Sequence, residues 1–367
     1  VLNGGSSCIV LIRGMLAIQL LFLIISTFGL ESVFSIPSFG FNLPPLGIDG
    51  KNFDYRETSP RFFADLFKHS TSMKENSCCG DDAGVQVAVF SGTGFRTGDW
   101  VHYGIPAEHQ TLWRMDGYPS NLDRWPQYVS SEYRTSAVAH IGKGGNFVRS
   151  GIYVCTYNGD GLVDFEKDGA VISRNESRIL VNVTSNAGIR VRISRTNISN
   201  PVHNITLVPL ELYGQSYPEY PFHPDFIAEL RGAAMLRFSG WLRVDASDYN
   251  TQNQPRDWSK RTTEANQTQN CAQGVAIEYM IALSNILGAS PWFGLPKAAS
   301  PSDDYVTKFA AMVRDRLDPG LLIYIEYRDE GPGSLSAEQA QQSMLLFGIW
   351  EGVFGPALAS RVRRVAN

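Results

Sequence analysis

Three carboxylates close one apolar run. In "LLIYIEYRDE", residues 321 to 330, the acids Glu326, Asp329 and Glu330 follow a stretch that reads as a strand buried on both faces. Strands of that kind belong to parallel sheets, and carboxylates at their C-terminal ends are the usual address of an active site in a barrel. Paired acids there suit general acid–base work, one group giving a proton while another takes one. Alternation along the strand puts Ile323, Ile325 and Tyr327 on one face and Tyr324, Glu326, Arg328 and Glu330 on the other. If the apolar set meets helices, Glu326 and Glu330 point inward together. A charge buried there needs a partner, and Arg237 in "MLRFSGW" is the candidate for Glu326. An ion-pair role is the preferred reading of Glu326, and Glu330 is the candidate acid/base.

Trp241, Trp258 and Trp292 lie at or just beyond strand ends, where aromatic faces could stack on sugar rings. Trp258, in the polar stretch "RDWSKR", is the best such platform; Trp100, Trp113 and Trp125 are further candidates, and Tyr153 and Tyr157 read as core. The six histidines are scattered and form no ligand pair, so neither a metal nor another cofactor is expected. "GKGGN", 142 to 146, sits among strands and reads as a turn rather than a phosphate loop.

The elements that must position these residues fall into two rhythms. Between about 85 and 210 the chain alternates in short runs broken by Gly, Asn and Asp ("GIYVCTYNGDGLVDFEKDG", "RILVNVT", "GIRVRISRT", "HNITLVPLEL"), the pattern of an antiparallel β-sandwich. From 223 onward helix and buried strand alternate: "HPDFIAELRG" then "AMLRFSGW", "GVAIEYMIALSNILGA" ending at Gly288 then "PWFGLP", "SDDYVTKFAAMVRDRLDPG" capped by Ser302 then "LLIYIEYRDE", and "SAEQAQQSMLLFGIWEGVFG" then "SRVRRVAN". Such units make a parallel sheet with right-handed crossovers. "FSIPSFGFNL" and "SPRFFADLFKHS", with Ser59 as cap and Pro60 at the first helical position, read as a first β/α unit. The expected architecture is α/β plus β: a partial (β/α) TIM-type barrel with an inserted antiparallel β-sandwich. Its segments are 1–35, upstream residues and signal peptide; 36–84, first β/α unit; 85–210, inserted carbohydrate-binding-like sandwich; and 211–367, barrel strands 2 to 5 with their helices.

Bulk properties exclude some partners. A chain of 367 residues with 43% hydrophobic and 19% charged residues is ordinary for a globular protein. A net charge of -4 without a Lys/Arg block gives no footprint for nucleic acid. The apolar run Leu16 to Leu30, preceded by Arg13, and the small residues around Ser32–Ser35 read as a signal peptide; translation is expected to start at Met15, with residues 1–14 upstream of it, and the protein is expected to be secreted. Five sequons, at Asn175, Asn182, Asn197, Asn204 and Asn266, fit a glycosylated secreted chain. Four cysteines then remain, Cys78, Cys79, Cys155 and Cys271, with three possible pairings; one or two disulfides are expected, and the neighbours Cys78 and Cys79 are the poorest pair.

The wording "FHPDFIAELRGAAMLRF", "GVAIEYMIALSNILGASPWFGLP", "DDYVTKFAAMVRDRLDPGLLIYIEY" and "MDGYPSNL" resembles a family of secreted carbohydrate-binding proteins similar to the large (β/α)8 glycoside hydrolase clan, over roughly 36 to 365. That resemblance implies a retaining hydrolase whose general acid/base, a Glu preceded by Asn, closes strand 4. Glu330 matches the Glu, while Asp329 stands where Asn is expected. An amide there donates a hydrogen bond to substrate; an ionised Asp only accepts, and its charge raises a neighbouring carboxyl. Lys297 in "GLPKAAS" stands where His is expected. Retaining enzymes hold a second carboxylate ~5 Å from the first, which the clan places on strand 7, whereas these residues run to strand 5. The open edge of such a sheet needs cover, from a homo-oligomer or a longer chain. The expected function is binding, with or without hydrolysis, of a polysaccharide; the rival is a non-catalytic carbohydrate-binding or matrix glycoprotein on a degenerate hydrolase scaffold.

Overall fold

The computed structural model describes residues 39–43, 62–70, 74–77, 135–141, 148–175, 178–184, 188–197, 199–215, 217–244, 258–269, 274–295, 304–327 and 337–365. The segment expected as a signal peptide, Cys78, Cys79, Cys271, Trp100, Trp113, Trp125, Lys297, Asp329 and Glu330 lie outside them.

Thirteen strands are described, in three sheets. The first is all parallel and in chain order: β1 (Gly40–Asn42), β10 (Met235–Arg237), β11 (Ser290–Leu295), β12 (Ile323–Tyr327) and β13 (Val362–Val365). Helices separate its strands along the chain: α1 (Pro224–Glu229) and α2 (Ser239–Leu242) flank β10, α3 (Ile277–Leu287) precedes β11, α4 (Tyr305–Arg316) precedes β12 and α5 (Ala337–Leu358) precedes β13. One face of the sheet is apolar. Leu236, Phe293, Ile323, Ile325 and Val362 are buried in one core with Phe226, Met280, Phe309 and Trp350 from the helices. Local signals account for several ends. The His223 side chain accepts from Asp225 N at the start of α1, with Pro224 at the first helical position. Gly288 caps α3 in the left-handed region at φ 63°, where a side chain would be strained. α4 starts at Tyr305 after Asp304; Ser302, expected as its cap, lies outside the described residues. α5 is broken near its end by Gly355, at φ 70° and ψ 169°, and Pro356.

The other sheets are antiparallel. One has the order β2 (Lys74–Ser77), β3 (Thr135–Ile141), β8 (Ile189–Thr196), β5 (Gly161–Lys167); the other runs β6 (Gly169–Asn175), β7 (Arg178–Val183), β4 (Gly151–Asn158), β9 (His203–Pro209). Inward residues of both sheets, Tyr153, Cys155, Tyr157, Ile179, Val181 and Leu207 on one side and Val163, Phe165, Val191 and Ile193 on the other, form a single core. Because β2 belongs to this pair of sheets, the antiparallel region begins before the expected boundary at 85.

The segment expected as a helix around 59 to 70 is different. Among its described residues, 62–65 are non-helical and Leu66–His69 form a 3-10 turn, capped by Asp65. The reason is burial: Phe62, Phe63 and Ala64 are all fully buried, leaving no polar face for a surface helix. The chain instead pairs with the segment returning from β9. Phe63 bridges Phe222 antiparallel, Ala64 N donates to Pro221 O at 2.8 Å, and His223 N donates to Phe62 O at 3.0 Å. The antiparallel region thus leaves and rejoins the parallel sheet through a two-stranded stem.

Candidate functional site

The face of the parallel sheet away from the helices carries polar and aromatic side chains. Registration across the five strands sets Asn42, Arg237, Trp292, Tyr324 and Arg363 at one level. All five are half-buried or exposed. Glu326 stands one step further along β12, paired with Gly294 and Val365.

Glu326 is enclosed, with its side chain 2% exposed, and its charge is met by the expected cation. Arg237 Nη2 donates to Oε2 at 2.9 Å and to Oε1 at 3.2 Å, and Nε donates to Oε2 at 3.3 Å. A third residue completes the cluster: Trp292 Nε1 donates to Oε2 at 2.8 Å, and the guanidinium of Arg237 lies over the Trp292 ring, 5.1 Å from its centroid. Trp292 in turn leans on Tyr324, centroids 6.2 Å apart. The sequence supports this packing locally. A Cβ at position 294 would meet Val244 Cγ2 at 2.7 Å, so Gly294 lets the segment after α2 close over the sheet beside Glu326. At the β1 end, Ser239 Oγ donates to Asn42 Oδ1 at 2.9 Å. Sequence reasoning put Tyr324 on the face of Glu326 but missed Asn42, Ser239 and Arg363 as neighbours of the cluster; Asn42 closing "GFN" opposite Arg237 closing "MLR" was the available signal.

The arrangement separates roles. A carboxylate bound by one guanidinium and one indole N–H is an anchor that fixes the Arg237 and Trp292 side chains, whereas a proton donor needs a group free to exchange protons with substrate. The paired residues offer a ligand an aromatic face, a cation and the amide of Asn42. Glu330 lies outside the described residues.

Two tryptophans expected as sugar platforms belong elsewhere. Trp241 is fully buried and packed against Phe62, Phe63, Phe226 and Phe238. β10 ends at Arg237 and the chain turns at once into α2, which carries Trp241 into the core. Trp258 is half-buried, edge-on to Tyr305 and covered by the Arg261 guanidinium 4.3 Å from its centroid. Arg261 is held there by an ion pair with buried Glu278.

The modification candidates also divide. Asn175, Asn182, Asn197 and Asn204 are exposed on or beside the antiparallel strands. Asn266 is buried with the rest of its sequon, Gln267 and Thr268. Its Oδ1 accepts from Thr263 N at 2.6 Å, and Thr268 Oγ1 donates to Ser70 O at 2.6 Å, so a glycan there is incompatible with this packing. Cys155, a disulfide candidate, is a free thiol at the centre of the antiparallel core, and burial pushes its pKa far up. Tyr153 and Tyr157 are core residues. Among the described residues no three His, Cys, Asp or Glu side chains gather as a metal site.

No family model matches the chain, and no curated protein or solved structure is found to be similar to it.

Proposed function

We propose that the chain is a secreted polysaccharide-binding glycoprotein on a partial (β/α) barrel scaffold like that of glycoside hydrolases, and that the sugar lies on the open face of the parallel sheet. The observation that carries this reading is the pair Arg237 and Trp292, both bound to Glu326 and in register with Asn42 and Tyr324. Aromatic faces bind the apolar faces of sugar rings, and fixed amide and guanidinium donors bind their hydroxyls. Ligands of parallel sheets also sit toward the carboxyl ends of strands. In the hydrolytic version of this reading Glu330 protonates the leaving oxygen. The non-catalytic version is favoured by the state of Glu326, which is tied to Arg237 and Trp292 and therefore holds the site together.

The test is co-sedimentation of the protein with insoluble β-glucan, xylan, mannan and chitin, run beside a hydrolysis panel. Trp292→Ala should weaken retention at least tenfold on the polymer that binds. Turnover lost in Glu330→Gln would establish hydrolysis; retention without turnover, unchanged in that variant, would leave binding alone. No retention on any polymer would overturn the proposal.

A further inference from the structure

A charged group sits in the seam between the two cores. Phe62 and Phe63 belong to the core of the parallel sheet, and Leu66 and Phe67, three residues on, to the core of the antiparallel sheets. Asp65 lies between them, 1% exposed. Its Oδ1 accepts from Phe67 N at 3.0 Å on its own turn and from Leu207 N at 2.8 Å on β9. Its Oδ2 is buried and has no hydrogen-bond partner among the described residues. The turn that carries it is tied to the 264–269 segment by Lys68 Nζ, which donates to Glu264 O at 2.8 Å and Asn266 O at 2.9 Å, and by Gln267 Nε2, which donates to Ser70 Oγ at 3.0 Å.

We propose that Asp65 is a proton-operated latch, which holds β9 to the stem of the parallel-sheet unit most firmly when its carboxyl is protonated and loosens that seam when it ionises. Both amides donate to Oδ1 in either state and favour the anion, but ionisation places a charge in an enclosed site, and that desolvation cost is the largest of the effects on Asp65. The groups around it offer little compensation. Lys68 on the same turn, and the Leu207 and Phe67 amides that donate to Oδ1, lower its pKa by less than burial raises it. Cys155 on β4, Tyr217 after β9 and Tyr279 on α3 face it as neutral groups, each with its pKa pushed upward mainly by burial. His69, at the end of the turn, is kept neutral, its pKa pushed down to about 3 mainly by burial, and its Nε2 accepts from Phe63 N.

Burial accordingly raises the Asp65 pKa from 3.8 to about 6. Between those values the folded chain holds a proton that the unfolded chain has released, so the contribution of Asp65 to stability is fully present below 3.8 and is lost as pH rises to about 6. The folded-to-unfolded ratio falls about a hundredfold over that interval, because one proton released on unfolding changes it tenfold for every tenfold change in proton concentration.

Two measurements on the full chain test this. Urea unfolding from pH 4 to pH 8 should show wild type losing about a hundredfold in that ratio relative to Asp65→Asn, which keeps the Oδ1 acceptor but cannot ionise. Hydrogen exchange, corrected for intrinsic rates, should show the Phe67 and Leu207 amides losing protection over the same interval in wild type and keeping it in Asp65→Asn. Equal pH slopes in wild type and variant overturn the latch, and so does unchanged protection of the Phe67 and Leu207 amides in wild type; if the variant does not fold, the exchange result on wild type decides alone.

Discussion

Exchanging Arg237 for Met gives the sharpest test of how the sheet face is held. The change removes three hydrogen bonds to Glu326 and leaves a carboxylate that is 2% exposed without this cation. At an effective dielectric near 20, opposite charges about 4 Å apart attract by about 4 kcal/mol. Breaking a buried pair by deleting one partner costs about 3–5 kcal/mol, since a charge stays behind. Arg237 is itself only 15% exposed at the side chain, so solvent screening takes little from that figure. Glu326→Gln should cost less, about 1–3 kcal/mol, because the remaining guanidinium keeps some access to water and the amide still accepts one bond. The double variant Arg237→Met/Glu326→Gln should recover much of the loss, with a coupling energy of about 2 kcal/mol or more. Urea denaturation with an unchanged slope against denaturant is the assay. A single-variant loss under about 1 kcal/mol, or additivity within about 0.5 kcal/mol, would refute the account of Glu326 as a buried anchor.

Other outcomes follow from burial. Peptide mapping after expression in a secretory host should find Asn266 unmodified, with glycans confined to the exposed Asn175, Asn182, Asn197 and Asn204; an Asn266 glycan in folded protein would contradict the packing around Thr263 and Ser70. Iodoacetamide should leave Cys155 unlabelled in native protein and label it in urea, as fits a buried thiol of raised pKa. Trp241→Ala should destabilise by about 3–5 kcal/mol because it empties an aromatic core. Trp292→Ala should cost less stability and more polysaccharide retention, and the reverse ordering in denaturation and co-sedimentation would count against the site.

What could be read from the sequence followed from the strength of each local signal. The five stretches expected as parallel strands have strands within them, because runs such as "LLIYIEY" and "SPWFGL" are apolar and bounded by turn residues. The partnership of Arg237 with Glu326 was legible because a charge on an inward face demands a counter-charge, and Arg237 stands on another strand of the same sheet. Trp292 was named as a sugar platform, yet its bond to Glu326 depends on registration between strands, which no single strand specifies. Trp241 was misplaced since nothing in "RFSGW" reveals that the strand stops at Arg237. The 59–70 segment failed for a related reason. A capping Ser and Pro promise a helix, but Phe62 and Phe63 are buried through contacts with Phe222 and Trp241, which lie far along the chain.

The stem made by Phe62–Ala64 and Pro221–His223 also bears on the order of folding. Asn42 and Ser239 are hydrogen-bonded although 197 positions apart, a separation that would ordinarily make this edge of the sheet slow to form. Once the antiparallel strands have folded and closed the stem, the chain leaving β1 re-emerges beside the point where it entered. The distant pairing of β1 with β10 then becomes a nearly local one, relieved of most of its loop-closure entropy. The inserted sheets are in this sense a cassette, and exchanging them for a short turn between Phe63 and Phe222 would leave the connectivity of the parallel sheet intact.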